Sequence, residues 1–501
     1  MKPKLLLFLL LTFSLSAAAQ RPKTAAQAYV DRIAAQEPLR SSVWGVLAVN
    51  SKGDTLAVRN ARARMLPASN MKLITTGAAL HRLGGEFRYE TAIGYSGRVE
   101  AGTLKGDVYI IGGGDPTVAA PDSIATASFT LFSNWKNFLL REGIRRIEGR
   151  IIGDGRWLDG GVEHPSWTWD DLGTDYGTGG NGLCYYQNQK EFVITAGQAA
   201  GDPVRWRESV PETPWMKYTC TGVTARPGTG DEIYLYTTDL APVGEIRGTF
   251  ALDKRTRTEH FSNKFGALTC AHHFYKFLLR GGIIATGGAA DIDRAGWIRS
   301  GFNQPLTDRA VPQDSLRVLG KTYSPTLARI CRETNHRSDN FYAETLLRTL
   351  GRRELGFDNY DSCAVVERKI LEELGVDTRN GLILTDGSGL SRQNAVSPEF
   401  LVRFLVAMRR SPAWNDYLAS LPIPGANGTM RVVLPALPQE TKERIHLKSG
   451  SMNGVLCYSG YITPKEGKKE TVFFSILTNN AAVPASKVRP VITQIIALLA
   501  E

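Results

Sequence analysis

A serine and a lysine stand three residues apart in the segment PASNMKLITTGAALHRLGG, Pro67 to Gly85. On an α-helix that spacing puts both side chains on one face with Cβ atoms about 5–6 Å apart, close enough to hydrogen-bond. Chemically the pair, Ser69 and Lys72, is a nucleophile and a base, because a serine hydroxyl attacks a carbonyl only when a neighbour takes its proton. Lysine can take it only as the neutral amine, and a free lysine with a pKa near 10.4 is protonated at pH 7. Met71, Leu73, Ile74, Ala78, Ala79, Leu80 and Leu83 surround the axis on every side, the pattern of a buried helix. Burial disfavours the ammonium, so the surroundings that make the lysine conspicuous also activate it.

Two further short motifs follow in order: Ser338-Asp339-Asn340, between two helical patterns, and Lys448-Ser449-Gly450, on a strand before a hairpin. Each alone is weak. Ser133-Asn134-Trp135-Lys136 also fits S-x-x-K and reads as a helix cap beside a solvated lysine, and Ser451-Met452-Asn453 also fits S-x-N. Ser, Asp and Asn between helices are ordinary capping residues. Order and context together single out the three: buried helix, interhelical loop, strand. This ordered set is the signature of penicillin-binding proteins and class A β-lactamases.

The second motif begins 269 residues after Ser69, and GGGDPT (112–117) and DGSGLSRQN (386–394) accompany the three. With these the chain resembles, over essentially its whole mature length, the class C low-molecular-mass penicillin-binding proteins, the D-alanyl-D-alanine carboxypeptidase/endopeptidase family of peptidoglycan maturation. The resemblance implies that Ser69 is the nucleophile and Lys72 its base, with repulsion from Lys448 helping to keep Lys72 neutral. Ser338 would relay a proton to the leaving amine, and Asn340 would hold the substrate amide and Lys72. It assigns the oxyanion hole to the backbone N–H groups of Ser69 and Ser451. Lys448 and Ser449, in the strand motif closed by Gly450, would attract the terminal carboxylate. Asp154, Arg392 and Asn453 match positions where the family meets the diaminoacid of the stem peptide. No cofactor or metal is implied, and the partners would be stem peptides ending in D-Ala-D-Ala and β-lactam inhibitors. One departure stands out: most of the family has Lys-Thr-Gly where this chain has Lys-Ser-Gly, which keeps the hydroxyl and loses a methyl.

Two rival functions remain open. One is a β-lactamase or related esterase with the same Ser-Lys core, and the other is a catalytically silent cell-wall binding protein. Other motifs carry less. Gly177-Thr178-Gly179-Gly180-Asn181-Gly182 fits G-x-G-x-x-G without a preceding strand or a following helix. Cys270, His272 and His273 have no second ligand pair at zinc spacing. No G-x-S-x-G is present.

The elements that must position these residues follow from the rest of the chain. MKPKLLLFLLLTFSLSAAAQ has a basic start, an apolar run and small residues before Gln20, the pattern of a signal peptide over residues 1–19. An exported, periplasmic protein without an integral membrane span is expected, either soluble or loosely membrane-associated. Losing Lys2 and Lys4 lowers the formal charge from +11 to +9, spread without clusters, so nucleic acid is not an expected partner. Six cysteines are too few for a disulfide framework in 501 residues. Cys184 and Cys220 could pair in an oxidising compartment, while Cys331, Cys363 and Cys457 read as packed thiols, and no bridge is counted on.

Residues 42–59 alternate as a hairpin turning at Lys52-Gly53-Asp54, and 135–151 and 274–288 resemble each other as helix-then-strand units. Helices are expected from Ser324-Pro325, up to Gly351, up to Gly375 and from Ser397-Pro398, with a closing amphipathic helix after Lys487. The fold class is α/β (α+β): an antiparallel sheet flanked by helices, the penicillin-binding/β-lactamase-like serine transpeptidase domain by resemblance. Residues 20–90 and 311–501 would form this domain, and 91–310 a β-rich insertion of one or two subdomains.

Overall fold

The computed structural model describes residues 22–292 and 311–501, apart from 427 and 468; the leader expected over residues 1–19 lies outside them.

Two stretches far apart in sequence build one antiparallel sheet. The alternating segment forms β1 (Val43–Asn50) and β2 (Thr55–Arg59), joined at the expected turn, where Asn50 Oδ1 accepts the Lys52 and Asp54 backbone N–H groups. Near the other end lie β3 (Ile445–Met452), β4 (Val455–Ile462) and β5 (Val472–Asn479), and the order across the sheet is β2-β1-β5-β4-β3. β1 pairs with β5 from Val43 opposite Asn479 to Asn50 opposite Val472.

Every residue of β4 and β5 is buried. The two-residue period sends Leu456, Tyr458, Phe474 and Ile476 to one face and Val455, Cys457, Phe473 and Leu477 to the other. The first face is covered by α1 (Ala25–Ile33) and by the closing amphipathic helix, whose Val488, Ile492, Ile495 and Ile496 are buried there. The second carries a helical layer centred on α2 (Met71–Leu83), in which residues 71–80 are all buried. Burying Leu73, Ile74 and Leu80 contributes about 1.5–3 kcal/mol each. Around α2 pack α3 (Leu327–Arg337), α4 (Asn340–Leu355), α5 (Tyr360–Glu373) and α6 (Pro398–Met408). The closing helix is α7 (Ala485–Ala500).

Ser397 caps α6 by accepting the Phe400 N–H, and α5 stops before Gly375, as read from sequence. Two boundaries differ. α3 starts later, with Thr326 in the N-cap position, because the Ser324 hydroxyl accepts the Tyr89 N–H at 2.9 Å instead. α4 runs through Gly351 and ends at Gly356, since Gly351 is where α4 lies against Cys363 of α5 and a Cβ would not fit.

Between the two ends the chain makes sheets of its own. One has strands in the order Ala289–Asp291, Ile151–Asp154, Val108–Gly112, Glu90–Tyr95 and Arg317–Tyr323. The two similar units are a structural pair. Helix Ser128–Arg141 precedes strands Arg146–Ile147 and Ile151–Asp154, helix Gly266–Arg280 precedes Ile284–Ala285 and Ala289–Asp291, and like strands pair in parallel. Trp135, Leu139, Phe274 and Leu278 share their core. Ser133 and Lys136 lie on the first of these helices, with Lys136 bonded to the Gly281 carbonyl. Strands between residues 189 and 262 close over a second core of Phe192, Leu235, Ile246 and Phe261.

Because Arg317–Tyr323 pairs with Glu90–Tyr95, the intervening sheets extend past residue 310. We propose Ser324, rather than 311, as the point where the chain returns to the end-built lobe. All six cysteines are free thiols, with Cys331, Cys363 and Cys457 in the main core. No helix among the described residues is long and apolar enough to cross a membrane.

Candidate active site

Ser69 sits in a tight 3-10 turn, Ala68–Asn70, that feeds directly into α2. Ala68 has φ 45°, a left-handed conformation that costs a residue with a Cβ about 1–3 kcal/mol and persists only where packing imposes it. One turn on, Lys72 is fully buried. Its Nζ lies 3.0 Å from Ser69 Oγ, 2.6 Å from Asn340 Oδ1 and 2.8 Å from the Ser388 carbonyl oxygen.

The chemistry of the partners sets the direction of each bond. Two of them can only accept, while the serine hydroxyl can also donate. A neutral Lys72 therefore gives its two N–H groups to Asn340 and Ser388 and turns its lone pair to Ser69. Burial lowers Lys72 to about 8, against the opposing pull of the Glu344, Asp386 and Asp339 carboxylates. The repulsion expected between the two lysines acts on Lys448, which burial first and Lys72 second push well below the usual lysine range.

The remaining motifs converge on this pair. α3 ends at Arg337, Ser338 takes φ 61°, and Asp339 caps α4 by accepting the Tyr342 N–H at 2.8 Å. The middle residue of Ser-Asp-Asn is thus structural, and its neighbours face the site. Ser338 Oγ lies 2.8 Å from Lys448 Nζ, which also donates to the Ser449 carbonyl at 2.7 Å. Asn340 Nδ2 donates to the Tyr176 carbonyl at 3.0 Å, which fixes its oxygen toward Lys72. Gly450 brings β3 flat against the serine turn: a Cβ there would come within 3.0 Å of the backbone nitrogens of Ser69 and Asn70 and nearer still to the Pro67 carbonyl. Ser449 is half-buried on the same strand, on the pleat face it shares with Ser451.

A cleft of about 480 Å³ opens over the serine, lined by Ser69, Ser338, Asn340, Arg392, Ser451 and Asn453, and by Asp170, Asp171, Tyr176 and Tyr234 from the intervening region. Arg392 Nη1 donates to Asp171 Oδ2 at 2.9 Å and to Thr168 Oγ1 at 3.0 Å. Asp154 is a correction. It is fully buried at a strand end, does not line the cleft, and its carboxylate is taken by Arg156 at 2.8 Å and Gln313 at 2.9 Å. The acid that faces Arg392 is Asp171, in the segment WTWDD that sequence reasoning passed over. The carbonyls of the Gly177–Gly182 loop accept from buried Lys264 and Arg348.

A serine hydrogen-bonded to a buried lysine, at the junction of a helical layer and an antiparallel sheet, is the arrangement of a serine hydrolase of the penicillin-binding and β-lactamase-like fold. The family model of the D-Ala-D-Ala carboxypeptidase 3 (S13) family matches residues 26–501, and the chain belongs to that family. It is 28% identical over 480 residues to the D-alanyl-D-alanine carboxypeptidase of Actinomadura sp. (strain R39), covering 91% of this chain and 81% of that one. It is 25% identical over 437 residues to the D-alanyl-D-alanine carboxypeptidase DacB of Haemophilus influenzae, covering 85% and 83%. The crystal structure of penicillin binding protein 4 (dacB) from Haemophilus influenzae has the same fold, with a TM-score of 0.75 at 22% identity over 93% of this chain and 97% of that one.

Proposed function

We propose that this serine-type D-Ala-D-Ala carboxypeptidase acts on peptidoglycan stem peptides, or on the cross-links made from them, through an acyl-enzyme on Ser69. The observation that carries the reading is the partner set of Lys72: two pure acceptors and one hydroxyl, so that once Lys72 is the neutral amine its two N–H groups are taken and its lone pair is left for Ser69 Oγ. The Ser69 proton passes to Lys72 as Oγ bonds to the carbonyl carbon of the penultimate D-alanine. The backbone N–H groups of Ser69 and Ser451 hold the oxyanion, a type of stabilisation worth about 2.7–4 kcal/mol per donor. The C–N bond then breaks as a proton reaches the leaving amine through Ser338, which Lys448 holds. Water hydrolyses the ester, leaving the shortened peptide as a free acid and Ser69 restored.

Burial holds Lys448 well below the usual lysine range, and a substrate carboxylate beside it and Ser449 would raise it, because an opposite charge favours the ammonium. Arg392, braced by Asp171, offers a planar donor fork to a carboxylate further along the peptide, with Asn453 at the same rim. The pattern of residues 1–19 supports export to the periplasm, where such substrates are found. β-Lactams would acylate the same serine.

The test is the intact mass of purified Gln20–Glu501 after benzylpenicillin, with Ser69→Ala alongside and a time course. The expected result is a long-lived adduct that is missing from Ser69→Ala. An adduct lost within seconds would make the protein a β-lactamase, and no adduct with no penicillin consumed would leave a cell-wall binding module.

A further inference from the structure

The Ser388 carbonyl that orients Lys72 is itself held from behind. Every backbone polar group of Gly387 and Ser388 has a partner, a complete accounting of the kind buried loops require. Gly387 O accepts from Thr75 Oγ1 at 2.8 Å, Ser388 O accepts from Lys72 at 2.8 Å, and both N–H groups go to one side chain, Glu344. Glu344 Oε1 accepts the Ser388 N–H at 2.7 Å, and Oε2 accepts the Gly387 N–H at 3.1 Å. Gly387 also lies flat on α4, where a Cβ would sit 2.8 Å from the Ala343 carbonyl.

Asn340 and Glu344 are one turn apart on α4, so a single helix face reaches Lys72 twice, once directly and once through the loop. Glu344 is buried, and among the described residues no ion pair joins it. A buried carboxylate without a cation is costly unless its hydrogen bonds are complete and serve a purpose.

We propose that Glu344 is the positioning residue of the catalytic base, fixing Lys72 through the Gly387–Ser388 backbone and favouring its ammonium between proton transfers. The proposal rests on Lys72 serving as the base of Ser69. Of the carboxylates that raise Lys72, Glu344 acts most strongly, ahead of Asp386 in the same loop and Asp339 at the head of α4. Lys448 faces Lys72 from β3, and Glu367, Tyr360 and Cys363 face Glu344 from α5. Burial and the Asp386 charge push Glu344 up to about 8, while the Gly387 and Ser388 N–H groups, one on each oxygen, favour its carboxylate and pull the other way, so the charge it lends Lys72 is fully present only toward the alkaline end of the pH range. Asp386 is held by the Gly389 and Ser391 N–H groups and by Trp167 and Asn394.

The experiment resolves benzylpenicillin acylation of the full mature chain into binding (K′) and the acylation step (k2), between pH 5.5 and 9.5, for wild type, Glu344→Gln, Glu344→Asp and Glu367→Gln. The amide keeps the shape but loses the charge and one acceptor. Its k2 should fall at least about ten-fold, because small displacements of a reacting group cost that much or more, with K′ within about two-fold. Its acid limb should move to lower pH, because a carboxylate that stabilised the lysine ammonium is gone. Glu344→Asp keeps the charge and shortens the reach, so k2 falls with the limb in place; it tests the clamp if the amide does not fold. Glu367→Gln, which touches neither Lys72 nor the loop backbone, should keep both.

A Glu344→Gln enzyme with wild-type k2, or with a slowed k2 and an unmoved limb, would overturn the proposal, as would a Glu344→Asp enzyme at full rate. Failure of the wild type itself to be acylated would instead sink the reading of Ser69 and Lys72.

Discussion

Burying the Lys72 ammonium costs stability, and the amount can be measured. Its pKa falls from 10.5 to about 8 on folding, so between those values the unfolded chain binds more protons and stability rises with pH. Below pH 8 the full cost is present, about 3 kcal/mol. Lys72→Met removes that cost but leaves Asn340 Oδ1 and the Ser388 carbonyl without their donor, a loss of about 1–3 kcal/mol each. Urea unfolding of Lys72→Met against wild type should therefore show a balance that shifts by about 3 kcal/mol in favour of the wild type between pH 7 and pH 10.5. A balance independent of pH would mean that Lys72 is an ordinary ammonium in the folded protein.

At this scale the site was legible where its parts are local in sequence. Ser69 and Lys72 declare themselves by spacing and by an apolar surround, and Ser338, Asn340 and Lys448 by order. Asp154 and Asp171 show the limit, since both follow apolar or aromatic residues and only the packed sheet decides which one faces Arg392. Glu344, inside FYAETLLRTLG, reads as the polar side of an amphipathic helix until its loop partner is known.

Among the elements, β3 and the serine turn are in the closest contact, and Gly450 is what permits it. In Gly450→Ala the new methyl meets backbone at 3.0 Å or less, and backbone cannot swing aside as a flexible side chain can. Overpacking of this kind costs about 1–3 kcal/mol. The strand should also be displaced from Ser69, lowering the penicillin acylation rate by more than about ten-fold. Stopped-flow acylation and thermal unfolding on one preparation would check both, and a variant with wild-type rate and melting temperature would show that the contact is loose. Elements set by period and punctuation were readable: the β1–β2 hairpin, the paired helix-strand units, and the ends of α5 and α6. Ser324 was misread because its deciding partner, Tyr89, is distant in sequence, and Gly351 because its role is to let α4 lie against Cys363 of the next helix, a packing contact no local pattern announces.

Over the whole molecule, the two chain ends share one sheet and depend on each other. α7 carries no residue of the cleft, yet Val488, Ile492, Ile495 and Ile496 bury against β4 and β5, together worth about 6–12 kcal/mol. That is comparable to the entire stability of an ordinary domain, about 5–15 kcal/mol. A chain ending at Pro484 should lose cooperative unfolding by circular dichroism and form no penicillin adduct, although Ser69, Lys72, Ser338, Asn340 and Lys448 are all present. Retention of the adduct would show that the sheet stands without its cover. The meeting of the two ends was legible in the change from short alternating runs back to long helical patterns, whereas the proposed return point at Ser324 was not, because the strand before it pairs across more than 200 residues.

The strand order has a consequence in time. A chain made from its N-terminus carries Ser69 and Lys72 from the start, but the partners that aim them arrive at 338–340, at 388 and at 448–453, and β1 waits for β5 as its neighbour. No shorter intermediate of synthesis contains the whole set of partners around Ser69 and Lys72. On the proposed mechanism, the molecule becomes able to cut only once nearly all of it has been made.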